Sequence, residues 1–103
     1  MIAKTPKPPY FAVIFTLLRT DVDEGYNAMS EKMLELAKKQ PGFLGVESAR
    51  KELGITVSYW ESLEVIKAWK SNIQHKEAQL LGKKKWYKKY KTRIAKVERD
   101  YEF

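Results

Sequence analysis

Four residues, His75, Gln79, Gly82 and Trp86, recur at intervals of four, three and four, so a helix through them would set all four on one face. His75 is the only imidazole in the chain, and imidazole is the side chain whose ordinary pKa permits proton exchange near neutrality. It is therefore the candidate general base, with Gln79 one turn away to assist it. A partly exposed histidine hydrogen-bonded to a neighbour is the alternative. Gly82 inside a helix would cost about 1 kcal/mol relative to alanine, which suits a point of close approach by a packed neighbour or a ligand.

Trp60, Trp69 and Trp86, together with Phe15 and Phe43, are candidates for the walls of a substrate pocket, because small-molecule sites are mostly apolar with a few polar groups. Each ring could equally serve as ordinary core. The chain has no cysteine, which excludes disulfides and thiolate metal sites, and with a single histidine no metal site is expected. There is no phosphate-cradling glycine loop, serine elbow, paired-carboxylate motif or dinucleotide fingerprint, so phosphoryl and hydride transfer lack support. The segment Lys83 to Lys91 carries much of the formal charge of +7 and interleaves lysines with Trp86, Tyr87 and Tyr90. Such a run can hold phosphate backbones and stack bases. On a helix, however, its lysines would spread around the circumference while Tyr87 and Tyr90 continued the apolar stripe of Ile73 and Leu80. A solvated basic flank fits that pattern better, and no nucleic-acid partner is expected.

The elements that must position these residues can be read in order. Phe11 to Leu18 is apolar at nearly every position, and a strand from Tyr10 to Leu18 would present apolar side chains to both faces of its sheet. A chain of 103 residues is short for a sheet covered on both sides by its own helices, so a second copy is the economical cover. On that basis a charge at Phe15 should disrupt association or folding. Asp21 and Glu24 suggest a capping box for a first helix whose stripe is Tyr26, Met29, Met33 and Leu36 beside Ala37, with Glu31, Lys32, Glu35, Lys38 and Lys39 in water. Gln40-Pro41-Gly42 ends it. Phe43 to Arg50 and Ile55 to Trp60 read as a hairpin. Ser62 caps a short helix with Leu63, Ile66 and Trp69. A second capping box at Ser71 starts a longer helix to about Tyr90, and Thr92 to Tyr101 forms an edge strand.

Strand, helix, strand, strand, helix, strand describes an α+β, ferredoxin-like βαββαβ domain over 10–103, with a four-stranded antiparallel sheet and an extended lead-in over 1–9. Two such sheets packed face to face give a dimeric α+β barrel, a homodimer. Lys4 and Lys7 before the apolar run superficially suggest a secretory signal, but no small-residue cleavage site follows and about 18 apolar residues would be needed to span a bilayer. A cytoplasmic location, with no membrane partner, is expected.

The runs Gln40-Pro41-Gly42-Phe43-Leu44-Gly45-Val46-Glu47-Ser48 and Ser58-Tyr59-Trp60-Glu61-Ser62, the latter entering Ile66-Lys67-Ala68-Trp69, resemble the antibiotic biosynthesis monooxygenase family of small dimeric α+β barrels. His75-Lys76-Glu77-Ala78-Gln79, with Gly82, Lys85-Trp86-Tyr87 and Tyr90, resembles one bacterial branch whose members mostly lack an assigned reaction. The resemblance covers nearly all of the chain from Tyr10. It implies a small aromatic substrate, a phenol or quinol, bound between helices and sheet and oxidised by oxygen without metal or flavin. By that analogy His75 is the base or holds the substrate hydroxyl, Gln79 assists it, and Trp69 and Trp86 shape the wall. A second branch degrades heme using a first-strand asparagine, a tryptophan and an iron-ligating histidine. Here Trp69 matches the tryptophan, but Phe15 stands near the asparagine position and, with one gap allowed, Gln79 at the ligand position, a departure that argues against heme as a cofactor. A heme-binding relative in which His75, about one turn earlier, ligates iron from a rotated or shifted helix is kept as an alternative. A binding module without chemistry, with the same pocket and no poised base, is the remaining alternative.

Overall fold

A computed structural model describes residues 1–80 and 83–103, and the side chains of 1–73 and 85–103. Its elements are β1 (Tyr10–Arg19), α1 (Tyr26–Lys38), β2 (Phe43–Arg50), β3 (Leu53–Trp60), α2 (Leu63–Leu80), a single turn α3 (Lys83–Trp86) and β4 (Tyr87–Val97). The four strands make one antiparallel sheet in the order β2-β3-β1-β4, the ferredoxin-like arrangement, with α1 and α2 on one face.

The continuous apolar run takes the central position, where β1 pairs with β3 from Phe11↔Trp60 to Leu18↔Leu53 and with β4 from Tyr10↔Val97 to Arg19↔Tyr87. Pairing register decides which face each side chain serves. Phe11, Val13, Phe15 and Leu17 point toward the helices, where Ala37, Trp60 and Ile66 are buried and Phe11, Val13, Phe43, Val65 and Trp69 pack around them. Trp60 is 0% exposed. Along α1, Tyr26 and Ala37 are buried, Met29, Met33 and Leu36 are half-buried, and Glu31, Lys32, Glu35, Lys38 and Lys39 are exposed, as the spacing requires.

α1 starts one turn later than the capping signals suggest. Arg19, at the end of β1, donates to the Val22 carbonyl at 2.9 Å and to Asp23 at 3.0 Å, which commits the loop to an ion pair rather than a cap. Gly25, with φ 79°, occupies the N-cap position and supplies no side chain to it. At the other end Gly42 has φ 84°, and a Cβ there would lie 2.8 Å from both γ-carbons of Val65. Its carbonyl accepts the Glu61 amide at 2.9 Å, so the start of α2 is pressed against a backbone that only glycine leaves clear. The Ser62 hydroxyl caps α2 by accepting the Val65 amide at 3.3 Å.

Two expectations for the second half are corrected. α2 runs unbroken from Leu63 to Leu80, so Ser71 caps nothing and sits exposed mid-helix, while Ile66, Trp69 and Ile73 keep one continuous stripe on the sheet. Tyr87 to Tyr90 is strand rather than helix, and β4 ends at Val97 rather than Tyr101. As a helix that segment would satisfy only itself. As a strand it pairs along nearly the full length of β1, with a bulge between Leu18 and Arg19. Trp86 ends α3 and leads directly into β4, and the face drawn through it with His75 and Gln79 rests on side chains outside the described residues. Gly82 lies outside the described residues.

The second sheet face carries Ile14, Thr16 and Leu18, not Phe15. Part of it is covered by the chain itself. The Ala3 amide and the Tyr59 hydroxyl both donate to Glu47, at 2.9 and 2.6 Å, and Tyr10 donates to Asp100 at 2.6 Å while accepting from Thr5 at 3.0 Å. These bonds lay the lead-in and the C-terminal tail over one end of the face. At the other end Leu18, Leu53 and Ile55 remain 39%, 49% and 38% exposed.

Candidate functional site

Between the helices and the sheet lies a cavity of about 310 Å³, at the lower end of what holds a drug-sized molecule. Phe15, Phe43, Trp60, Trp69 and Trp86 all border it, as do Tyr26, Met29, Met33 and Tyr87. It runs along β1, and its two ends differ in chemistry.

The end near Phe11 and Trp60 is aromatic. Trp69 stacks on Trp60 with centroids 5.7 Å apart at 26°, and Phe43 meets Trp60 edge-on at 5.3 Å. The buried Trp60 indole donates to the Ser58 hydroxyl at 2.9 Å, which fixes the ring without an unsatisfied N–H. α2 brings Trp69 here because Ile66 and Ile73, three before and four after, bind the same helix face to the sheet.

The end near Leu17 is polar and cationic. Tyr26 is buried at the first residue of α1, and the guanidinium of Arg19 lies 3.4 Å from its ring centroid, with that of Arg50 at 4.9 Å. The Arg19 Nε is buried with no hydrogen-bond partner among the described residues. Burial, then the neighbouring Tyr26 hydroxyl, push the Tyr87 phenol above its ordinary range, against the pull of Arg50 and Arg19. Phe15 closes the wall with edge-on contact to Tyr87 at 5.7 Å. Trp86 is anchored by its indole, which donates to the Glu24 carbonyl at 2.9 Å, and its ring sits 3.3 Å from where a Cβ on Gly25 would be.

His75 and Gln79 belong to the last turns of α2, the helix that supplies Trp69 and Ile73, and their side chains lie outside the described residues. Sequence reading missed Arg50, Tyr26 and Tyr87 as cavity residues. The signal for Tyr26 was its helical spacing with Met29 and Met33. An arginine at a hairpin end looks like any solvated turn charge.

The chain is thus a small α+β domain, a ferredoxin-like sheet with an aromatic cavity beneath its two helices. The chain belongs to the antibiotic biosynthesis monooxygenase family, whose model matches residues 9–80. It is 48% identical over 100 residues to the uncharacterized protein YqjZ of Bacillus subtilis (strain 168), a match covering 95% of this chain and 88% of that one. Among solved structures it resembles SnoaB, a cofactor-independent oxygenase from Streptomyces nogalater, with a TM-score of 0.73 at 8% identity over 88% of this chain and 95% of that one. SO0527 of Shewanella oneidensis gives a TM-score of 0.69 at 12% identity over 93% and 97% of the two chains.

The heme-degrading branch fits this cavity poorly. Phe15, at the position of that branch's asparagine, packs its ring on Tyr87 and Tyr90 and offers the cavity only hydrocarbon.

Proposed function

We propose that this protein is a monooxygenase-like enzyme that admits a small electron-rich aromatic molecule, of phenol or quinol type, to the cavity between helices and sheet. The cavity itself carries the proposal: about 310 Å³ walled by five tryptophan and phenylalanine rings, with a few hydroxyls and one guanidinium to orient what enters. The resemblance in fold to SnoaB, described as a cofactor-independent oxygenase, supports a route in which the substrate supplies its own electrons.

In that route a base removes the substrate's hydroxyl proton and the resulting anion transfers an electron to oxygen. One oxygen atom joins the ring carbon, and the other leaves as water with two substrate hydrogens. His75 is proposed as the base and Gln79 as its partner in holding the hydroxyl. Phe15, Phe43, Trp60, Trp69 and Trp86 form the substrate-binding wall, which excludes water from reactive intermediates. The enzyme works as a cytoplasmic homodimer, with a second copy covering Leu18, Leu53 and Ile55. Among the described residues no helix is long and apolar enough to cross a membrane.

The test is oxygen uptake by the purified protein against a panel of naphthols, hydroquinones and anthrones. Substrate-dependent uptake that falls by about 10²- to 10⁴-fold in His75→Ala supports the assignment. Uptake at the uncatalysed rate across the panel refutes it.

A further inference from the structure

The cavity is chemically lopsided. Along β1 its aromatic end, at Phe11↔Trp60, and its cationic end, at Leu17↔Gly54, are six residues apart, about 20 Å of strand. Arg50 pairs with Gly54 and so belongs to the cationic end. Of the described residues that border the cavity, Arg50 is the one that is formally charged, and no aspartate or glutamate lies among them.

Arg50 also has no carboxylate partner among the described residues. Among the described residues the ion pair formed is Arg19 with Asp23, and the Arg50 guanidinium instead rests against the Tyr26 ring that Arg19 already occupies. Two like charges meet on one ring and Asp23 answers Arg19 alone, so an anion at Arg50 would complete the electrostatic arrangement. Hydroxyls are at hand: Tyr26 and Tyr87 border this end of the cavity, and Ser48 lies on the same strand face as Arg50.

Resting on the proposed aromatic-ligand reading, we propose that the natural ligand is an aromatic carboxylate, with its ring directed toward Trp60 and Trp69 and its carboxylate held at the mouth by Arg50 and Tyr26. The placement solves a solvation problem. Arg50 is exposed, so the carboxylate keeps part of its hydration while the ring is desolvated, and neither charge is fully buried. A planar guanidinium fork matches a carboxylate in a way a lysine would not. The group also fixes orientation, setting which ring carbon faces the reactive part of the cavity.

The test is calorimetric titration with 2-naphthoate and its neutral isostere 2-naphthamide. Wild-type protein should bind naphthoate at least about tenfold more tightly than naphthamide, as for a charge-assisted bidentate contact. In Arg50→Gln the gap should shrink to within about threefold while naphthamide affinity holds, which shows an intact cavity; Arg50→Lys should fall between. Arg93→Gln, which removes a charge from the opposite sheet face, should leave the gap unchanged and so exclude a general effect of the net charge of +7. Equal affinity for both ligands overturns the carboxylate assignment and leaves the aromatic cavity standing. A gap that survives Arg50→Gln overturns the role of Arg50, and failure of both ligands to bind overturns the inference along with the aromatic-ligand reading beneath it.

Discussion

Gly42→Ala isolates the joint that sets α2 on the sheet. Two costs are readable from the structure. At φ 84° an alanine occupies the left-handed region, costing about 1 to 2 kcal/mol. Its Cβ would also lie 2.8 Å from both γ-carbons of Val65, and overpacking of that kind costs about 1 to 3 kcal/mol. The sum, roughly 2 to 5 kcal/mol, is a large part of the stability of an ordinary domain, about 5 to 15 kcal/mol. The helix cannot simply retreat, because the Glu61 amide is held by the Gly42 carbonyl and Ile66, Trp69 and Ile73 are committed to the sheet and cavity. The two costs separate in a double-mutant cycle. In a Val65→Ala background the γ-carbons are gone, so Gly42→Ala should cost only the backbone share, and the coupling should be about 1 to 3 kcal/mol. Urea unfolding followed by tryptophan fluorescence at fixed protein concentration gives all four stabilities. A Gly42→Ala cost within about 0.5 kcal/mol of zero, or one equal in both backgrounds, would refute the reasoning.

Further outcomes follow from the far side of the sheet. Burial, then the hydrogen bond to Glu47, raise the Tyr59 phenol to about 12, and the bond to Asp100 raises Tyr10. Both groups, with Tyr87, have folded pKa values above the unfolded value of about 10, so their contribution is complete below pH 10 and is lost as pH rises from 10 toward 12. Urea midpoints should fall across that window, and less steeply in Tyr59→Phe. Gly45→Val should displace Ala3, whose Cβ lies 2.9 Å from the position of the new Cβ, and break the Ala3–Glu47 bond. Limited proteolysis should then cut within residues 1–9 much faster with the remainder intact. Ile55→Lys, placing a charge on the apolar patch, should convert a sedimenting dimer to monomer; an unchanged dimer would place the interface elsewhere.

Much of the fold was legible because its determinants are local or periodic. Phe11 to Leu18 announces a central strand, and Tyr26, Met29, Met33 and Ala37 announce a helix face. Phe43 to Arg50 and Ile55 to Trp60 announce the hairpin. The segment from Ser71 to Tyr101 was misread where local and tertiary preferences conflict. Lysines with tyrosines three apart suit a helix, but Tyr87 to Val97 completes the free edge of β1, and a strand ladder outweighs weak propensity. The start of α1 was hidden by Arg19, whose pairing with Asp23 no spacing rule reveals. Of the seven aromatic residues that line the cavity, the three tryptophans and two phenylalanines could be named from composition. Arg50 and Tyr26 meet across 24 positions of sequence, so their juxtaposition required the fold.

If the aromatic cavity carries oxygen chemistry on a small aromatic molecule, the product must take its new oxygen atom from O₂. The most direct measurement is turnover of a responsive phenol or quinol under ¹⁸O₂, with uptake and product mass followed together. One labelled oxygen in each product, with equimolar oxygen consumed and loss of turnover in His75→Ala, is the predicted result. Products that carry no label, or uptake that yields only labelled peroxide, would contradict it.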